Sequence, residues 1–226
     1  MTKRIATQIN KFRYDNQPLR LTLGVLVFIG LCSFLIVIAT FTQFNFKHYI
    51  LPLDAFSYIG ANFKDPAVSS HFLKYYRYIP QIPVIMFIAA FLGRRFGIAS
   101  VLIYILVGLF FAPVFALGGG PDYIFQYTFG YILAYIPAVF FAGSILASGL
   151  TYRNMAQASL VGVITIHLIG VLYMLFMAAL HRESFPSMLG WITAQSGLKI
   201  IYDLIFSFLA MIFAKVTKKI LWVAIG

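Results

Sequence analysis

Most charged residues along this chain fall between six long apolar runs. Residues 21–46 form a stretch of 26 without a single charge. A helix needs about 20 apolar residues to cross the hydrocarbon core of a bilayer. A cleavable signal sequence uses only about 7–15, so the first run reads as a span that stays. The pattern predicts membrane helices at about 21–44, 79–92, 96–112, 128–150, 157–180 and 196–213. The second enters through Pro80 and Pro83, tolerated at a helix start because those N–H groups have no intrahelical partner. Gly93-Arg94-Arg95 ends it. The third stops at Pro113, and Leu117-Gly118-Gly119-Gly120-Pro121-Asp122 reverses the chain. Pro137 predicts a kink in the fourth, and Arg153 marks a tight turn before the fifth. A polar loop with His181, Arg182 and Glu183 precedes the sixth, which closes on Lys215, Lys218 and Lys219. A long connection, 45–77, carries Pro52, Asp54, Asp65 and Pro66 and is placed to cover one mouth of a bundle. Residues 1–20 are polar and basic, with Ile5, Ile9 and Phe12 at helical spacing. They suit either a short helix on a membrane surface or an anchoring tail. The domain reading is therefore a basic segment at 1–20 and a six-span membrane domain at 21–222.

Composition strengthens this reading. Of 226 residues, 62% are hydrophobic and 10% charged, against roughly 25% charged in soluble domains. The fold class expected is an all-α integral membrane protein. The net charge of +11 does not point to nucleic acid, because Lys and Arg sit at the ends of apolar runs rather than on one soluble face. With the N-terminus inside, eleven cations lie on the inner side: Lys3, Arg4, Lys11, Arg13, Arg20, Arg94, Arg95, Arg153, Lys215, Lys218 and Lys219. Six lie outside: Lys47, Lys64, Lys74, Arg77, Arg182 and Lys199. Short cation-rich loops face the cytoplasm, so both ends are expected inside, in a plasma membrane. The single cysteine, Cys32, permits neither an internal disulfide nor a multi-thiolate metal site.

Motifs of membrane enzymes are missing from the sequence. It has no H-E-x-x-H, no G-x-S-x-G, no P-loop, and no paired carboxylates at i, i+3 or i+4 within a span. No cofactor, metal or catalytic residue is expected. Among the four histidines, His167 alone lies within a span. It is either a ligand-site residue or a satisfied packing residue, and no acidic partner lies one turn away from it. Asp203, in the sixth run, is the most expensive residue in a bilayer unless paired or facing a cavity. Lys199 lies one turn earlier on the same face. The two form either a neutralised pair or part of a polar cavity. Gly118, Gly119 and Gly120 make either a plain reversal or a loop with backbone N–H groups open to a ligand. Tyr75, Tyr76, Tyr78, Tyr123, Tyr127 and Trp191 fit an interfacial aromatic belt first, and also the lining of a pocket for a flat polar ring.

One succession of motifs is more specific than its parts. Tyr78-Ile79-Pro80-Gln81-Ile82-Pro83 leads into the second run, and Leu92-Gly93-Arg94-Arg95-Phe96-Gly97 turns the chain. Tyr104-Ile105-Leu106-Val107-Gly108-Leu109 lies in the third. Pro113-Val114-Phe115-Ala116-Leu117-Gly118-Gly119-Gly120 closes it, and Thr128-Phe129-Gly130-Tyr131 opens the fourth. In order and spacing this resembles the BioY family, the biotin-binding S component of energy-coupling factor (ECF) vitamin transporters. The similarity is strong over about 78–145 and weaker beyond.

The resemblance implies an S-component-like bundle that captures extracellular biotin. It further implies partnership with an ECF transmembrane coupling protein and two cytoplasmic ATPases, in membrane lipid. It makes Asp203, Thr128, Gly130, Tyr131, Gly118, Gly119 and Gly120 candidate substrate-binding residues, to which Lys199, able to supply a charge one turn before Asp203, and Gln81, in the motif entering the second run, are added. Three departures stand out. Phe206 occupies the place of the cation in the family's Asp-x-x-Lys, the glycine loop has no Arg, and the first run offers only Gly24, Gly30, Ser33 and Ala39 in place of an Ala-x-x-x-Ala docking face. Other readings are an S component for another vitamin or small organic ion, a lipid-modifying membrane enzyme using Asp203 or His167, and a non-transporting assembly subunit.

Overall fold

The computed structural model describes residues 22–49, 73–183, 185–197 and 199–225. The basic segment 1–20 and most of the long connection (50–72) lie outside the described residues. The helices are α1 (Leu23–Phe41), α2 (Gln81–Phe110), α3 (Phe129–Leu133), α4 (Tyr135–Leu146), α5 (Tyr152–Leu180), α6 (Phe185–Ser196) and α7 (Lys199–Ile225), with a 3-10 turn at Pro121–Phe125. Two units are distinct: the helical one, and a small one, Thr42–Ile79. In the small unit β1 (Phe44–Tyr49) pairs antiparallel with β2 (Leu73–Tyr78), Phe44 opposite Tyr78 and Tyr49 opposite Leu73. The purely α expectation is corrected to that extent.

Among the described residues, five helical stretches are long and apolar enough to cross a membrane: Leu23–Phe41, Gln81–Phe110, Phe129–Leu146, Tyr152–Leu180 and Gly190–Leu221. Gly93 interrupts α2 with φ 77° and ψ −176°, a conformation open essentially to glycine alone. Residues 23 apart on one straight helix would be about 35 Å apart. Yet the Gln81 amide donates to the Tyr104 hydroxyl at 3.3 Å. The parts 81–92 and 94–110 therefore fold back on each other, as Gly93-Arg94-Arg95 suggests in the sequence.

Other boundaries follow from local chemistry. The fourth run is two helices meeting at Ala134, three residues before Pro137, whose ring and missing N–H disrupt the preceding turn. Thr151 caps α5, accepting from the Asn154 N–H at 3.2 Å. The fifth helix thus starts at Tyr152 rather than 157, and Arg153 lies in its first turn. The expected loop before the last run is largely α6. The last helix starts at Lys199, not 196, and continues well past 213.

The helices invert the soluble pattern. On α5 the exposed row is Leu160, Ile164, Leu168, Leu172, Phe176 and Leu180. The buried face carries Ala158, Ser159, Gly162, Val163, Ile166, His167, Gly170 and Met174. Small and polar residues face the other helices and bulky apolar ones face outward, which is the membrane arrangement. Gly130 and Gly170 show why small residues are needed: a Cβ on either would overlap the ring of Tyr173 or Tyr131 across the α3–α5 contact. Ser159 ties α5 to α7 by donating to the Leu204 carbonyl at 3.1 Å.

The two ends of the helical unit differ in character. At one end the Arg94 guanidinium donates to Ser144 at 3.3 Å and lies 5.1 Å from the Phe140 ring centroid. Lys215 lies 4.7 Å from the centroid of Tyr152. The start of α1 is at this end too, with Phe28 against Phe91 at 5.6 Å. The glycine reversal, Tyr127, His181 and the start of α7 lie at the other.

Candidate functional site

Asp203 has no exposed surface. A carboxylate so placed needs partners, and α5 supplies one. His167 Nε2 is 3.0 Å from Asp203 Oδ2, and Lys199 Nζ is 3.9 Å from the same oxygen. His167 Nδ1 is 2.9 Å from Ser196 Oγ at the end of α6, and Ser196 Oγ is 2.6 Å from the Tyr131 hydroxyl. The Tyr131 ring meets the imidazole edge-on at 6.0 Å. Four helices (α3, α5, α6 and α7) thus converge on one polar chain, with a cation at its outer edge.

Gln81 is the hub of a second network. Its amide nitrogen donates to Thr40 at 2.7 Å and to Tyr104 at 3.3 Å, and its carbonyl accepts from Tyr135 at 3.2 Å. Thr40 and Tyr104 are 3.2 Å apart. Tyr135 is also within Coulombic range of Asp203, so the two networks adjoin. One presents a carboxylate, the other an amide and two phenols: together, acceptors and donors inside an apolar frame. This set fits a neutral, hydrogen-bonding ligand head.

The glycines play another part. Gly118 N–H and Gly120 N–H bond the carbonyls of Phe115 and Gly108, at 3.0 and 2.9 Å. Those two N–H groups are occupied, which corrects the picture of a loop wholly open to ligand. A Cβ on Gly119 would lie 2.7 Å from both the Gly108 oxygen and the Pro113 Cα. The loop is a close-packed cover that sets Phe115 against Tyr104 at 5.4 Å and Tyr123 at 4.6 Å. Thr128 precedes α3 without capping it: its hydroxyl is buried without a hydrogen-bond partner, as is that of Ser207, one turn beyond Asp203. Gly130 takes the Tyr173 ring.

A separate open pocket of about 220 Å³ is lined by Tyr127, Met174, Ala178, Glu183, Met188 and Trp191. None of these was among the residues expected to bind substrate, although Tyr127 and Trp191 were noted as possible pocket aromatics. The two rings stack at 6.0 Å. Partial burial and the neighbouring Glu183 carboxylate push the Tyr127 hydroxyl above its usual value, so it stays protonated and donates to Glu183 at 3.1 Å. Most of that space is open to solvent: the enclosed part is about 10 Å³, room for about one water molecule and far short of the ~300–1,000 Å³ usual for small-molecule sites.

Sequence reasoning thus placed Asp203 with Lys199 and chose Gln81 and Tyr131. It did not pair His167 with Asp203, and it did not single out Ser196, Thr40, Tyr104 or Tyr135 for the networks they join. Tyr104 stood in a quoted motif, and the intramembrane position of His167 was the one signal for it.

The BioY family model matches residues 74–222. The chain is 34% identical over 96 residues to "Probable biotin transporter BioY" of Lysinibacillus sphaericus, covering 42% of this chain and 49% of that protein. It is 36% identical over 95 residues to "Probable biotin transporter BioY" of Pyrococcus horikoshii, covering 42% and 56%. The matched stretch thus spans about half the length of these curated relatives. The fold is similar to that of the S-component for biotin from an ECF-type ABC transporter, with a TM-score of 0.62, 20% identity and coverage of 90% of this chain and 95% of that one.

Proposed function

The chain belongs to the BioY family, and on that premise we propose that it is a membrane S component that captures biotin from outside the cell. Delivery inward would depend on an ECF transmembrane coupling protein and two cytoplasmic ATPases, where ATP hydrolysis takes place. The observation that carries this reading is the family match over 74–222, which takes in every residue of both polar networks except Thr40. Biotin's ureido ring has two N–H donors and a carbonyl acceptor, set on an apolar ring and chain. In this reading Asp203 accepts from the ureido N–H groups, a charge-assisted bond. The Gln81 amide and the phenols of Tyr104 and Tyr135 offer donors to its carbonyl. Lys199 and Tyr131 complete the polar wall, with Thr128 and Gly130 beside them and Gly118, Gly119 and Gly120 as cover.

The proposed topology has six crossings with both ends in the cytoplasm, over a membrane domain at about 21–222. The fold-back at Gly93 supports the sixth crossing by splitting α2 in two. The gathering of Arg94, Lys215 and the start of α1 at one end supports the orientation, since cations favour the inner face. Calorimetry on the detergent-purified chain is the test, with thiamine and riboflavin as controls. Binding of biotin alone is expected. A folded protein that takes up no biotin, or takes another vitamin more tightly, would refute the ligand assignment.

A further inference from the structure

Within this reading of the site, one group has both ring nitrogens engaged and neither role assigned. His167 bridges Asp203 Oδ2 at 3.0 Å and Ser196 Oγ at 2.9 Å, while 4% exposed. An ionised carboxylate only accepts, so Nε2 carries a hydrogen toward Asp203. In the neutral ring Nδ1 must then accept from Ser196, and Ser196 accepts from Tyr131 at 2.6 Å. A second proton on the ring reverses this. Nδ1 donates to Ser196, Ser196 donates to Tyr131, and the imidazolium becomes a full charge beside Asp203. One proton thus flips the direction of a chain running from α7 through α5 and α6 to α3.

The groups facing His167 can be named element by element. Tyr131 stands on α3, Ser196 on α6, and Lys199 and Asp203 on α7. Tyr135 on α4 lies in Coulombic range of Asp203, with Tyr104 and Gln81 on α2 behind it. Among these residue types histidine is the one that ordinarily changes charge between pH ~5 and ~8. We infer that His167 is a positioning residue that sets the ligand specificity of Asp203 and links capture to a proton. With the ring neutral, His167 offers Asp203 an uncharged donor beside Lys199, and an incoming N–H can compete with it for the carboxylate. With the ring charged, Asp203 is held in an ion pair and binds N–H donors less well. Binding therefore weakens with acid, and by reciprocity ligand capture expels a proton.

Biotin titrations between pH 6 and 8 test this, because the ligand's own carboxylate stays ionised there. Affinity is expected to fall on acidification by up to about tenfold per pH unit, the limit for one linked proton. Calorimetric heats within that step are expected to vary with the buffer's ionisation enthalpy as the proton is released. His167→Gln keeps an N–H toward Asp203 without a titrating ring. It should weaken binding and flatten the pH step, and His167→Ala should weaken it further. Both readouts on the unaltered protein are independent of how the variants fold. Tight binding at pH 7.5 with no pH step, or a step retained in His167→Gln, overturns the inference and leaves the biotin reading intact. No biotin binding at any pH by the folded chain removes that reading, and this inference with it.

Discussion

A carboxylate without exposed surface survives in a bilayer because its partners replace the water it has lost. Asp203 has His167 and Lys199 on one oxygen. Substituting one member of such a set leaves the others wanting a partner, so Asp203→Asn is expected to weaken biotin binding by about 1–3 kcal/mol, the penalty of a lost charged hydrogen-bond partner. Calorimetry reads this directly. A Kd equal to the parent's would put Asp203 outside the ligand site, with the pair serving only to hold α7. Part of this residue picture is legible in the sequence, because Lys199 and Asp203 are one helical turn apart and need no tertiary knowledge. The His167 contact is not, since its partner lies 36 positions away on another helix. Periodicity ranks residues within an element and is silent about which face of one helix meets which face of another. Gln81 entered through a family motif. Its actual partners, Thr40 on α1 and Tyr135 on α4, follow only from packing.

Elements with a chemical punctuation mark were legible, and those without one were not. Gly93 is the clearest mark. Its φ of 77° and ψ of −176° exclude side chains with a Cβ at a cost of about 1–3 kcal/mol. Gly93→Ala is therefore expected to destabilise the helical unit by that amount. Thermal unfolding in detergent should show a clear drop in midpoint, while Gly190→Ala, whose Cβ meets nothing within 4 Å, should show little. Equal midpoints would mean the reversal does not depend on the glycine conformation. Pro137 likewise announced a kink, whereas the cap at Thr151 went unread and the fifth helix was expected to start at 157 rather than Tyr152. By contrast α6 was read as part of the polar loop that opens with His181, Arg182 and Glu183; Phe185–Ser196 is short, with Pro186 near its start and Gly190 inside. Proline in a first turn does not bar a helix, and what lies on either side of it decides. The strands Phe44–Tyr49 and Leu73–Tyr78 are rich in aromatic residues, which favour strands. The 23 residues between them give no short-turn signal, so nothing local links the two.

At the scale of the molecule, charge placement makes the strongest statement and the most decisive test. Arg94, Lys215 and the first turns of α1 and α5 gather at one end. The glycine reversal, Tyr127 and Glu183 lie at the other. Bulky residues along α5 and along α7 (Ile201, Ile205, Leu209, Phe213) face outward, as lipid requires. On α1, Ser33 and Ala39 are buried against the bundle, so of the small residues there only Gly24 and Gly30 are left on its outer face for a docking partner. If the cation-rich end is cytoplasmic, the turns 147–151 and 113–120 face opposite aqueous phases. Cys32 is buried, and it is the chain's one cysteine, so replacing it by Ala gives a clean background for single-cysteine labelling. Ser148→Cys, in the exposed turn before α5, is expected to react with an impermeant maleimide only after the cell membrane is opened. Leu117→Cys, at 67% exposure in the glycine reversal, is expected to react in intact cells. The reverse pattern would invert the bundle and put the Asp203 networks nearer the cytoplasmic mouth, where capture from outside could not begin. Labelling of both from the same side would contradict the crossings that fold the chain between them. Only the expected pattern joins a positive inner end, an even number of crossings and a ligand site reached from outside in one arrangement.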